Sequence, residues 1–108
     1  MSNWVDVAQA DDFKPGTWRT VDVDDVYIAV FNLNGEFYAI EDLCTHDGGE
    51  LAGGTIEGHE IICPRHGARF DIITGEVLSE PAYEDLCTFP VRVKDGIVQV
   101  GMNGGINH

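Results

Sequence analysis

Two cysteine–histidine pairs dominate the chemistry open to this 108-residue chain. Cys44-Thr45-His46 is followed, after sixteen residues, by Cys63-Pro64-Arg65-His66. Each pair sets a soft thiolate and an imidazole on one short stretch, a donor set that suits zinc or an iron–sulfur cluster. A structural zinc site normally groups its ligands by type, as Cys-x₂₋₄-Cys and His-x₃₋₅-His. Here each stretch mixes the types. A [2Fe–2S] cluster with two imidazoles replacing two thiolates on one iron needs this mixture. The spacing therefore favours Cys44 and Cys63 on one iron and His46 and His66 on the other, with Cys₂His₂ zinc as the rival.

The neighbours of the pairs fit the same chemistry. Gly48-Gly49 follows the first pair and Gly67 the second, letting the chain turn tightly and bring backbone N–H groups close to cluster sulfurs. Pro64 stiffens the second stretch. The third cysteine, Cys87, has no histidine beside it and reads as a buried thiol with no metal role. His59, in a Glu57-Gly58 turn, and His108, near the chain end, do not read as ligands. The stretch Gly49–Gly54 lacks the Gly-Lys-Ser/Thr ending of a phosphate loop.

The supporting elements read as short strands. Trp18–Val23 and Val26–Leu33 are rich in β-branched and aromatic residues. In the second run Tyr27, Ala29, Phe31 and Leu33 share one side at period two. Asn34-Gly35 predicts a type I′ hairpin into Glu36–Ile40, and Asp95-Gly96 predicts another between Phe89–Lys94 and Ile97–Val100. Pro15-Gly16, Glu57-Gly58 and Thr74-Gly75 mark further turns. Trp4, Trp18, Phe31, Phe37 and Tyr38 read as core or hairpin packing. No window holds a helical period of useful length, so the expected fold is an all-β antiparallel sandwich or barrel. Residues 42–81 carry both Cys/His pairs and are glycine-rich, which predicts a metal-binding lobe inserted into a basal β-structure made of 1–41 and 82–108. The whole is one domain. The Gly- and Asn-rich stretch 101–108 is expected to be loose.

Charge narrows the partners. Nineteen acidic residues face six basic ones, a formal net charge of −13. Nucleic acid and anionic membranes would repel such a surface, whereas a partner with a basic docking face would be steered towards it. Three cysteines make no disulfide framework and suit a reducing compartment. The sequence opens without a basic start or apolar run, and no stretch nears the roughly 20 apolar residues of a membrane span. A soluble, cytoplasmic monomer is expected. Two of the six basic residues, Arg65 and Arg69, lie in the second Cys/His segment. They would either pair with Asp71 or Asp47 or dock on an acidic spot of a partner. Asp47, Glu50 and Glu57 would either face a basic partner or remain solvated.

The segments Cys44-Thr45-His46-Asp47-Gly48-Gly49 and Cys63-Pro64-Arg65-His66-Gly67-Ala68-Arg69-Phe70-Asp71 resemble the two cluster-binding boxes of Rieske proteins. Over nearly its whole length the chain is similar to the Rieske-type ferredoxins of bacterial aromatic-ring-hydroxylating dioxygenase systems. Thr74-Gly75-Glu76 and Pro81-Ala82 resemble the family's later segment, where a proline-bearing loop covers the cluster. The resemblance implies one [2Fe–2S] cluster, with the outer imidazole edges of His46 and His66 exposed. It also implies a one-electron carrier, not an enzyme. Such a carrier takes electrons from a flavin-dependent, NAD(P)H-oxidising reductase and delivers them to a terminal Rieske oxygenase. The alternative it admits is the small redox subunit of a nitrite reductase-like assembly. An oxygenase in its own right would need a further two-histidine, one-carboxylate iron site. Only His59 and His108 remain to supply it.

Respiratory Rieske proteins differ at informative positions. Gly49 and Arg65 stand where those proteins carry a disulfide, and Ala68 and Phe70 stand where they carry a serine and a tyrosine. Lost hydroxyl donors and a strongly acidic surface both disfavour the reduced cluster. The expected potential is therefore near the low end of the Rieske range, roughly −150 mV rather than +300 mV.

Overall fold

The computed structural model describes residues 4–23, 25–42, 51–64, 67–80 and 85–101. Ten strands follow in chain order: β1 Trp4–Gln9, β2 Trp18–Val23, β3 Val26–Leu33, β4 Glu36–Glu41, β5 Thr55–Glu57, β6 Glu60–Ile62, β7 Arg69–Asp71, β8 Thr88–Phe89, β9 Val91–Lys94 and β10 Ile97–Gly101. One turn of 3₁₀ helix, Ala10–Asp12, is the only helical element among the described residues, and none is long and apolar enough to cross a membrane. The strands form three antiparallel sheets, ordered β1-β10-β9, β2-β3-β4-β8 and β5-β6-β7.

The two hairpins marked by Asn34-Gly35 and Asp95-Gly96 form as the sequence predicts. All four turn residues have positive φ, from 53° to 94°, the conformation a type I′ turn requires. Register follows: Leu33 opposes Glu36 across the first turn, and Lys94 opposes Ile97 across the second.

Strand β3 is the axis of the molecule. Ala29 and Phe31 point into one buried cluster with Ile40, Leu51, Ile61, Cys63, Phe70, Ile72 and Leu86. Ile28 and Val30 point into a second, with Phe13, Ala39, Val98 and Val100. Period-two alternation holds, but both faces are covered, because β1-β10-β9 lies over one side and β5-β6-β7 over the other. A strand buried on both faces reads as a continuous apolar run, which is what Ile28-Ala29-Val30-Phe31 is. Tyr27, grouped with Ala29 by period, lies at the strand's start and is exposed.

Four features depart from the sequence reading. The expected strand Phe89–Lys94 is broken at Pro90: Phe89 pairs with Ala39 of β4, while Val91 pairs with Val100 of β10. A proline donates no ladder hydrogen bond, so the chain changes sheets there. Gly101 is not part of a loose end. It is buried in β10, opposite Trp4, and its N–H donates to the Pro90 carbonyl. Strand β1 escaped notice because its apolar residues are only half-buried and lack clean alternation. Trp18 sits on the β2–β3 hairpin but is exposed, not core. Residues 102–108 lie outside the described residues.

Candidate metal centre

Of the four expected ligands, Cys63 falls among the described residues. Cys44, His46 and His66 lie outside them, as do Asp47, Gly48, Gly49, Glu50, Arg65, Pro81 and His108. Cys63 stands at the foot of the β6–β7 connection. Its N–H donates to the Ala68 carbonyl at 2.7 Å, and its own carbonyl accepts from the Gly67 N–H at 3.0 Å. These bonds extend the ladder in which Ile62 opposes Arg69. Gly67 has φ of +78°, and a Cβ there would meet nothing within 4 Å. Glycine is required by the backbone angle, not for want of space.

The residues that flank 43–50 are tied to the fold and to each other. Asp42 directly follows β4 and is buried, and its N–H donates to the Tyr27 carbonyl of β3 at 2.8 Å. Its Oδ1 accepts from the N–H groups of Leu51 and Ala52, at 2.7 and 2.8 Å. Residues on either side of 43–50 are therefore tied to each other directly. Leu51 is fully buried in the same cluster as Cys63, Ala68 and Phe70.

Residues on either side of 81–84 are tied in a comparable way. The Leu86 N–H donates to the Gly75 carbonyl at 2.7 Å, and the Gly75 N–H donates to the Asp71 carbonyl at 2.8 Å. The Asp85 carboxylate accepts from the Val77 N–H. Gly75 has φ of +79°, and a Cβ there would collide with the Leu86 carbonyl. Leu86 in turn joins the Cys63 cluster. Leu51, Cys63, Ala68 and Leu86, which neighbour in sequence the three stretches singled out above, thus belong to one core.

The donor set can be tested on what surrounds Cys63. Its side chain is 2% exposed, within an apolar cluster that contains Leu51, Ala68 and Phe70. A soft sulfur ligand buried among apolar side chains, on a backbone whose N–H and C=O are both engaged, suits an iron–sulfur cluster. Burial and hydrogen bonding are the protein's levers on such a cluster. Ala68 and Phe70 are both fully buried there. Neither has a hydroxyl to offer.

Other residues from the sequence reading fall into place nearby. Arg69 pairs with Glu57 at 3.0 Å and Glu60 at 3.3 Å across the three-stranded sheet, not with Asp71. The hydrogen bonds it donates to Glu57 and then Glu60 raise the Arg69 guanidinium above its ordinary value, so it remains charged. Asp71 instead receives His59, whose Nδ1 lies 3.1 Å from Oδ2. Its Oδ1 caps the following turn by accepting from the Ile73 and Thr74 N–H groups. Cys87 is half-buried, not fully buried, and its carbonyl accepts from the Glu41 N–H. Asp42 went unnoticed in the sequence. Its signal was an acidic residue between an apolar strand and the first Cys/His pair, a position where a solvated surface is the default expectation.

Residues 3–90 match the Rieske [2Fe–2S] domain. The chain belongs to the Rieske [2Fe–2S] domain family. Within it, the chain is 40% identical over 100 residues to the ferredoxin component of the naphthalene 1,2-dioxygenase/salicylate 5-hydroxylase systems of a Ralstonia species, covering 93% of this chain and 96% of that one. It is 43% identical over 98 residues to the ferredoxin CarAc of Metapseudomonas resinovorans, covering 90% and 92%. Among solved structures, the complex of reduced oxygenase and oxidized ferredoxin in carbazole 1,9a-dioxygenase includes a chain that superposes with a TM-score of 0.85. That chain is 43% identical, with 90% of this chain and 91% of it covered. This Rieske protein is accordingly an electron-transfer ferredoxin of the aromatic dioxygenase type, with one [2Fe–2S] cluster, and not itself an enzyme.

Proposed function

We propose that this Rieske ferredoxin moves single electrons from a flavin-dependent, NAD(P)H-oxidising reductase to the Rieske centre of a terminal ring-hydroxylating oxygenase. Cys44 and Cys63 bind one iron of its cluster, and His46 and His66 bind the other. Residues 42–81 form the lobe that carries the cluster, on the base made by 1–41 and 82–108. The protein acts as a cytoplasmic monomer. The cluster, when bound, accepts and releases one electron, and the chain's own residues hold it, keep water from its sulfurs and present it to partners.

The ligand assignment is supported chiefly by one observation. Leu51, beside the first Cys/His stretch, shares a buried cluster with Cys63, at the foot of the second. The oxygenase partner is supported by the 43%-identical ferredoxin found in complex with an oxygenase. The net charge of −13 favours partners with basic docking faces.

The test is electron delivery in solution. Reductase, NAD(P)H and this protein should together reduce an isolated terminal oxygenase, with a rate that falls as salt rises. Dithionite-reduced protein should show the low-average-g electron paramagnetic resonance signal of mixed His/Cys ligation. A colourless zinc-bearing protein, or an oxygenase left oxidised under these conditions, refutes the proposal.

A further inference from the structure

The Asp42 carboxylate is buried where the base gives way to the lobe. It is 4% exposed, directly after β4. A buried carboxylate is costly unless its oxygens are satisfied by hydrogen bonds. Here one oxygen, Oδ1, takes two backbone donors, the N–H groups of Leu51 at 2.7 Å and Ala52 at 2.8 Å. The backbone N–H of the same residue goes to the Tyr27 carbonyl of β3. Asp42 thus connects the central strand of the base to the first residues after 43–50.

A second contact extends this connection to the other ligand stretch. The Gly54 N–H donates to the Leu51 carbonyl at 3.0 Å, closing a tight turn on the Asp42 clamp. A Cβ on Gly54 would collide with the carbonyl of Ile62, the residue before Cys63. The turn Leu51–Gly54 is therefore wedged between Asp42 on one side and the approach to Cys63 on the other.

From this geometry we infer that Asp42 is a positioning residue for the cluster, its Oδ1 holding the turn Leu51–Gly54 against the approach to Cys63. The inference rests on the ligand assignment proposed above. It concerns acceptor geometry: one side-chain oxygen at this place orders two donors that would otherwise be buried without a partner. An amide side chain offers the same oxygen, whereas a methyl group offers none.

The experiment compares Asp42→Ala and Asp42→Asn with the wild type, all purified with cluster bound. Asp42→Ala should speed cluster loss to a chelator by on the order of tenfold, the scale of losing a partner that orients a ligand. Its reduced electron paramagnetic resonance spectrum should broaden, as the ligand spacing becomes heterogeneous. Asp42→Asn should restore the wild-type line shape and keep cluster loss within roughly threefold of wild type. If Asp42→Ala only lowers the melting temperature while spectrum and loss rate stay wild-type, Asp42 is merely structural and the inference falls. It falls equally if Asp42→Asn is as defective as Asp42→Ala. Should Asp42→Ala not fold, amide hydrogen exchange decides: Leu51 and Ala52 must be protected in both the wild type and Asp42→Asn, and free exchange in either overturns the inference. A Cys44→Ala variant that retains the wild-type cluster spectrum would instead refute the ligand assignment, so the two failures are distinguishable.

Discussion

The proposed base, with sheets β1-β10-β9 and β2-β3-β4-β8, and the proposed lobe, with sheet β5-β6-β7, are held together by different means. The base has strands of up to eight residues, and β3 buries both of its faces. Its order comes from ladder hydrogen bonds and apolar contact. The lobe sheet β5-β6-β7 has three residues per strand. Around it, side chains stand in for sheet: Asp42 clamps Leu51 and Ala52, Asp71 caps Ile73 and Thr74, and Asp85 holds Val77. Strands this short bury little on their own. The lesson is that the base should fold unaided, whereas the lobe should draw part of its order from the cluster, as small metal-binding structures do.

The strongest way to break this comparison is to remove the cluster. Cys63→Ser should abolish the visible absorbance and the reduced-state resonance. In the same variant, amides of β6 and β7 should lose hydrogen-exchange protection while those of β3 keep theirs. Equal loss in both regions would mean that base and lobe form one cooperative unit.

Core truncations sharpen the same contrast. Ile28→Ala in the base and Ile61→Ala in the lobe each delete a fully buried side chain. Each should cost about 2–5 kcal/mol in the cluster-bound protein. After cluster removal, calorimetry should still register the Ile28→Ala loss in full, and the Ile61→Ala loss should shrink.

A smaller effect concerns tuning within the lobe. Ala68→Ser and Phe70→Tyr introduce hydroxyls into the buried cluster that holds Cys63 and should each raise the midpoint potential by on the order of tens of millivolts above the wild-type value, itself expected at roughly −150 mV. A redox titration with an unchanged or lower midpoint would remove hydrogen bonding from the account.

The smallest expected effect is at the lobe surface. Arg69 is engaged with Glu57 and Glu60. Its guanidinium is raised by those carboxylates. Stability from the raised value is present in full below the unfolded-state value and is lost only as pH rises through the folded one, beyond the range in which the protein would be studied. Arg69→Met should therefore leave the melting temperature nearly unchanged between pH 6 and pH 9. It should leave oxygenase reduction nearly unchanged as well, since this cation is already partnered within the chain. A large drop in electron delivery would restore Arg69 as a docking residue.

Local chemistry was legible in the residues alone. Two mixed Cys/His stretches narrowed the metal chemistry, because thiolate and imidazole preferences belong to atoms and not to folds. Asn34-Gly35 and Asp95-Gly96 announced their hairpins, because positive φ is a property of the residues in the turn. Non-local pairing decided the rest. Whether Val26–Leu33 covers one face or two depends on what β1-β10-β9 and the lobe sheet lay against it, and neither is encoded within the strand. Arg69 opposes Ile62 and reaches diagonally to Glu60 and Glu57, which face each other on β6 and β5, and only the register of the sheet decides that placement. Asp42 looked like one more solvated acid among nineteen. Only the folded chain, by bringing the N–H groups of Leu51 and Ala52 to a single oxygen, turned it into a clamp.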